Sequence, residues 1–96
     1  MPTYIQLINW TQDGIKAVKK SPERLDQARA LVKKAGGSLD EFYLTLGRYD
    51  MVIVSEAPDD AAVARSTLQL AMGGAIRSET LRAFTEEEYR KIIAAL

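Results

Sequence analysis

The stretch Phe42-Tyr43-Leu44-Thr45-Leu46-Gly47-Arg48-Tyr49-Asp50-Met51-Val52-Ile53-Val54 decides how this chain folds. Aromatic and aliphatic residues dominate both halves, and a Gly-containing dipeptide separates them. Such side chains suit a pleated, half-buried surface, whereas Gly accommodates a sharp change of direction. The pattern predicts two strands, Ser38–Leu46 and Tyr49–Glu56, joined around Gly47-Arg48. A tight two-residue turn there places Leu46 opposite Tyr49 and Thr45 opposite Asp50. Cross-strand partners share a face, so the turn also sorts the side chains. Phe42, Leu44, Leu46, Met51 and Ile53 form an apolar face suited to lying under helices. Tyr43, Thr45, Asp50, Val52 and Val54 form a mixed face. A slip of one residue would exchange the faces of one strand.

Upstream, Thr3 to Trp10 reads as a strand with apolar groups on both faces, which suits a central position. Thr11 offers an N-cap, and Asp13 an acid in the first turn, for a short helix running toward Lys19-Lys20. Ile15 and Val18 are its only large apolar anchors. Ser21-Pro22-Glu23 starts the first long helix: a cap, Pro at the first helical position, an acid in the first turn. Leu25, Ala28, Leu31, Val32 and Ala35 follow at helical spacing, and Gly36-Gly37 stops it.

Downstream, Pro58-Asp59-Asp60 opens a second long helix with Ala64, Thr67, Leu68 and Ala71 as its inner stripe. Gly73-Gly74 ends it. Ala75 to Phe84 reads as a fourth strand with polar residues threaded through it. Thr85-Glu86-Glu87-Glu88 is a capping box. Tyr89, Ile92, Ile93 and Leu96 then recur at i, i+3, i+4 and i+7, predicting a docked C-terminal helix.

The order is βαββαβ with an extra helix. That is the α+β, ferredoxin-like arrangement, with a four-stranded antiparallel sheet carrying both long helices on one side. Its second sheet face is left bare. On this sorting the bare face shows Tyr43, Val52 and Val54, with Ile8 and Trp10 from the first strand. Thr45, Asp50 and Gln6 or Asn9 fall near its rim. Four strands expose several hundred Å² there, as much as the largest apolar patch on a typical monomer. The expected cover is a second copy, giving a homodimer or higher homo-oligomer. The alternative cover is the C-terminal or the short first helix of the same chain.

Composition excludes several chemistries. The chain has 96 residues, 13 Lys plus Arg against 13 Asp plus Glu, and neither His nor Cys. This length predicts one domain over residues 1–96. Without Cys there is no disulfide, no thiolate nucleophile and no Cys-held metal cluster. Without His the commonest metal ligand and neutral-pH base are missing. No metal is expected, and no cofactor: a haem would lack its usual axial ligand. Zero net charge gives no footprint for nucleic acid. The N-terminus lacks the features of a signal peptide, and no apolar run would span a bilayer. A cytoplasmic protein with no membrane partner is the expectation.

Asn9-Trp10-Thr11, Gly14, Ser21-Pro22-Glu23-Arg24, Phe42 through Asp50, Ala57-Pro58-Asp59-Asp60 and Glu79 through Thr85 stand in this order along nearly the whole chain. These blocks resemble the GYD domain family, whose Gly-x-Tyr-Asp stands here as Gly47-Arg48-Tyr49-Asp50. The resemblance implies a dimeric α/β-barrel. It implies no established activity and carries over no catalytic residues.

The candidate site residues come from the pattern. Asp50 is either a carboxylate at the mouth of the cleft, acting as base or polar ligand group, or a turn residue accepting backbone N–H bonds. Trp10, Tyr43 and Tyr49 either line a pocket or fill core and interface. Asn9 either orients a ligand or bonds a loop. Arg82 either receives an anion or pairs with Glu79, Glu56 or an acid of a second copy. The expected function is small-molecule binding in the cleft between sheet and helices. One alternative is a cofactor-independent enzyme of monooxygenase or isomerase type, which rests on fold analogy. The other is a purely structural module.

Overall fold

The computed structural model describes residues 1–96. Its centre is β1 (Thr3–Trp10), which pairs with β3 (Met51–Glu56) on one side and β4 (Ile76–Ala83) on the other. β2 (Ser38–Leu44) adds to β3, so the antiparallel order is β2-β3-β1-β4. This is the ferredoxin-like sheet that the element order predicts.

Alternation along β1 sets the layers. Tyr4, Gln6 and Ile8 are buried, and their partners Ser55, Ile53 and Met51 are buried with them. Two long helices lie over this face: α2 (Ser21–Lys34) and α3 (Asp60–Met72). Ala28 of α2 joins Ile8, Leu39, Met51 and Ile53 in the main cluster. Trp10, Leu25, Phe42, Leu70 and Ile76 pack around it. Tyr4, Ala57 and Ala62 form a second cluster toward the other end.

The opposite face carries Ile5 beside Val54 and Leu81, and Leu7 beside Val52 and Glu79. No element lies over it in a way that buries these side chains. This corrects the expectation for Ile8 and Trp10, which lie on the helix side, as does Gln6. The reason is parity: period-2 alternation makes burial of Tyr4 and Ile8 send Ile5 and Leu7 outward.

The β2–β3 connection is longer than a two-residue turn. The strands end at Leu44 and begin at Met51, and Gly47 takes a φ of 111° within a looser loop. Even so, Phe42 pairs with Ile53, Tyr43 with Val52 and Leu44 with Met51, in the predicted register. An irregularity between Leu39 and Glu41 shifts the pairing farther along β2. Leu44 and Leu46 are exposed, not covered as expected.

Helix ends follow local chemistry. Thr11 caps α1 (Gln12–Lys16) by accepting from Gly14 N–H at 3.1 Å. A 3₁₀ turn, Val18–Lys20, leads straight into α2, so Ser21 is the first helical residue and not its cap. Gly36 leaves α2 with a φ of 90°, its N–H on Lys33 O and that of Gly37 on Val32 O. That pair of bonds satisfies carbonyls that would otherwise be orphaned at the helix end. Asp59 caps α3 through Ala62 N–H at 2.8 Å. The inner face of α3 is Ala62, Val63, Ser66, Thr67 and Leu70, which corrects the predicted stripe: Ala64 and Leu68 are exposed.

The last helix, α4 (Glu86–Ala94), has the predicted capping box but is not docked. It buries none of its residues, and Tyr89, Ile92, Ile93 and Leu96 all stay exposed. The radius of gyration is 14.3 Å, against about 12.5 Å for a compact chain of this length. A single copy leaves apolar surface open on both its sheet and its last helix.

Candidate functional site

Between the sheet and the two long helices lies a cavity of about 360 Å³, at the small end of ligand pockets. The sheet contributes Ile8, Phe42, Met51 and Ile53; Trp10 and Ile76 close one end. The helix side is lined by Leu25 and Leu70, with Ala28, Gly73 and Ala75 as small residues among them. Those short side chains leave the layers unfilled. The hollow is a direct result of sequence at these positions.

A few polar groups interrupt the apolar lining. Gln6 is buried, and its Nε2 donates to Thr67 Oγ1 at 2.7 Å and Thr80 Oγ1 at 3.2 Å. Arg24 lines the cavity from the first turns of α2. Its Nη1 is shielded from solvent and has no hydrogen-bond partner. No Asp or Glu contributes to the lining.

Three of the residues singled out in the sequence meet at the end of β1. Asp50 Oδ2 accepts from the Trp10 backbone N–H at 3.0 Å. The Asp50 N–H donates to Ile8 O at 2.9 Å and to Asn9 Oδ1 at 3.0 Å. Thr45 N–H bonds Asp50 O at 2.8 Å, and Thr45 Oγ1 donates to Tyr49 O at 2.7 Å. This lattice ties the GRYD loop to the last residues of β1. Asn9, Trp10 and Tyr49 also border a shallow, open depression with Arg77 and Glu79. Of the six candidates, Trp10 alone lines the cavity between the layers.

Tyr43 and Arg82 lie apart from this cluster. Tyr43 is exposed on the bare sheet face, where its hydroxyl donates to Glu41 Oε2 at 2.5 Å. That bond, with the nearby negative charge, raises the phenol pKa above 10.0. Arg82 pairs across β1 with Tyr4, at the far end of the sheet from Asp50. It joins no ion pair with Glu79 or Glu56 within the chain. Its guanidinium instead sits 4.4 Å from the Phe84 ring centroid and 5.8 Å from that of Tyr4, and it donates to Ala83 O. Planar, weakly hydrated guanidinium groups favour such aromatic faces. Tyr4 OH donates to Asp60 Oδ1 at 2.5 Å, and this bond is the main reason its pKa is raised.

Arg24, Gln6 and Thr67 line the cavity but were not among the candidate site residues expected from the sequence. Gln6 carried a signal, a polar residue amid apolar neighbours in a central strand. Arg24 carried none, because an Arg near a helix start is ordinarily solvated. No three His, Cys, Asp or Glu side chains come together to hold a metal ion. No helix is long and apolar enough to cross a membrane.

With Gly47-Arg48-Tyr49-Asp50 bonded to the end of β1, comparison with known sequences identifies the family. Residues 4–93 match the GYD domain. The chain belongs to the GYD domain family. A GYD relative from Thermus thermophilus, named glutamine synthetase and cystathionine beta-lyase binding protein, is 42% identical over 84 residues. The match covers 86% of this chain and 88% of that protein. Among solved structures, the feast or famine regulatory protein of M. tuberculosis complexed with L-methionine superposes with a TM-score of 0.67 at 10% identity. That match covers 88% of this GYD chain and 51% of the regulator, so the chain spans about half its length. FFRP-DM1 superposes with a TM-score of 0.62 at 17% identity, covering 88% of this chain and 100% of that one. At such identities the likeness shows the ferredoxin-like fold.

Proposed function

We propose that this GYD protein is a non-catalytic, homo-oligomeric binding protein of the cytoplasm that takes a small molecule between its sheet and helices. The cavity of about 360 Å³ carries this reading. Its lining is mostly apolar with a few converging polar groups, the composition typical of small-molecule sites. Catalysis is less well supported. The lining offers no carboxylate, and Asp50 spends its Oδ2 on the Trp10 amide, outside the cavity. The monooxygenase-like alternative therefore lacks a base where a ligand would sit.

The bare sheet face supports assembly. Ile5, Leu7, Val52, Val54 and Leu81 form a contiguous apolar strip there, and α4 adds an unpartnered apolar stripe. A second copy placed face to face would cover the sheet strip, as in a dimeric α/β-barrel. The 42% identical relative, named for binding two enzymes, supports a protein partner as a second reading.

The cavity is tested by a thermal-shift screen of small metabolites on the intact protein and on Ala28→Leu, which adds bulk to the lining. Binders should raise Tm in the first and lose that effect in the second. Hits insensitive to Ala28→Leu would place binding elsewhere.

A further inference from the structure

Every apolar cavity needs a reason for a cation in its wall. Arg24 is the only charged residue lining this one. The chain's ion pairs are Arg29–Asp26, Arg90–Glu86 and Lys91–Glu87, so Arg24 is paired with no acid. Arg24 is half-buried, and its Nη1 is a donor shielded from water with no acceptor, an arrangement that costs free energy. Around it, Ser21, Pro22 and Leu25 bring the start of α2 to the same wall, and no side chain caps that helix end. The positive end of the helix therefore adds to the potential of Arg24. Elsewhere in the wall, Phe42, Met51 and Ile53 offer apolar surface, with the large ring of Trp10 beside them.

We propose that the ligand is a small monocarboxylate with an apolar body, its oxyanion bound by Arg24 and its tail laid against Trp10 and Phe42. The inference rests on the cavity being a ligand site, as proposed above. The guanidinium fork matches a carboxylate through two parallel N–H···O bonds. One cation and no second basic group in the wall favour a single negative charge over a phosphate dianion. Gln6 and Thr67 set the depth at which a further polar group of the ligand could be met.

Trp10 is the single tryptophan and lines the cavity, so its fluorescence reports occupancy directly. The probes are octanoate, 1-octanol, octylamine and octyl phosphate, titrated into the full chain and into Arg24→Gln. Octanoate should bind about tenfold or more tighter than octanol, with octylamine weakest, as for a charge-assisted contact. Arg24→Gln should erase the octanoate advantage, bringing octanoate and octanol to similar affinity. Equal affinity for octanoate and octanol in the unaltered protein would overturn the anion assignment and leave the cavity reading intact. Tighter binding of octyl phosphate would replace the monocarboxylate with a dianion. Silence of Trp10 toward all four probes would overturn both this inference and the cavity reading.

Discussion

The backbone N–H of Trp10 donates to Asp50 Oδ2 at 3.0 Å, so the carboxylate of the GRYD loop ends the hydrogen-bond ladder between β1 and β3. β3 begins at Met51, and Asp50 extends the pairing by one further residue, its own N–H bonding Ile8 O and Asn9 Oδ1. The same residue thereby holds the backbone of Trp10, whose side chain lines the cavity. Asp50→Ala should leave the Trp10 amide without its partner and cost about 1–2 kcal/mol. For a domain of this size that lowers Tm by roughly 4–8 °C per kcal/mol. Asp50→Asn, which keeps an acceptor oxygen, should lose less. Thermal unfolding of both variants checks this; an Asp50→Ala protein as stable as the parent would remove the structural role.

Gly14 approaches the α3–β4 connection closely. A Cβ built there would lie 1.9 Å from Ala75 O, a contact that backbone must move to relieve. The site is bonded as well as crowded, because Thr11 N–H donates to Ala75 O at 3.0 Å. Gly14→Ala should destabilise by about 1–3 kcal/mol, the range for inserting a methyl group into packed structure. Urea unfolding would show this as a lower midpoint at unchanged slope.

Glu88 closes the capping box of α4. Its Oε1 accepts from Thr85 N–H at 2.9 Å, and this bond lowers the carboxyl pKa below 4.5. A lowered folded value means that the folded state binds its proton less readily than the unfolded chain. The contribution to stability is thus present above about pH 4.5 and fades as pH falls through the folded value. An NMR titration should find the Glu88 midpoint below the ordinary glutamate value. Thr85→Pro, which removes the donor N–H, should return it toward that value.

Assembly makes its own prediction. The bare face places Val54 and Leu81 on either side of Ile5, one strand away in each direction. Light scattering at micromolar concentration should give at least twice the 10.6 kDa chain mass. Val54→Asp with Leu81→Asp should shift it to one chain, since like charges brought face to face in an apolar contact are strongly disfavoured. Ile92→Asp with Ile93→Asp should weaken it if α4 also packs on the second copy. A monomeric parent protein would overturn this assembly.

Much of the fold was legible because it depends on short-range chemistry. The pairing of Phe42 with Ile53 followed from residues on either side of Gly47, although the connection proved looser than a tight turn. The caps at Thr11 and Thr85 were legible because each involves residues three positions apart, whereas Asp59, read as an acid at the helix start, is itself the cap. The stripe of α3 was misread by two positions, since Ala62 and Ser66 are small and mark burial weakly. The docking of α4 was misread because amphipathicity says that a face wants cover and not that one copy supplies it. At the candidate site, Asn9, Trp10, Tyr49 and Asp50 were singled out together with Tyr43 and Arg82, and only the fold gathers the four around the loop. Arg82 and Tyr43 were not separable from them without knowing which strand end each occupies.

By itself the sequence determined the element order, the hairpin register, the caps at Thr11 and Thr85 and the absence of His and Cys chemistry. All of these are local in the chain or counted from it. Only the tertiary structure decided which face of β1 met the helices, since alternation alone is satisfied equally well either way up. It alone decided that small residues from α2 and the α3–β4 connection converge to leave a hollow, and that Arg24 stands unpaired in its wall. A cavity is a property of what several distant segments fail to fill together, and no single segment carries its signature.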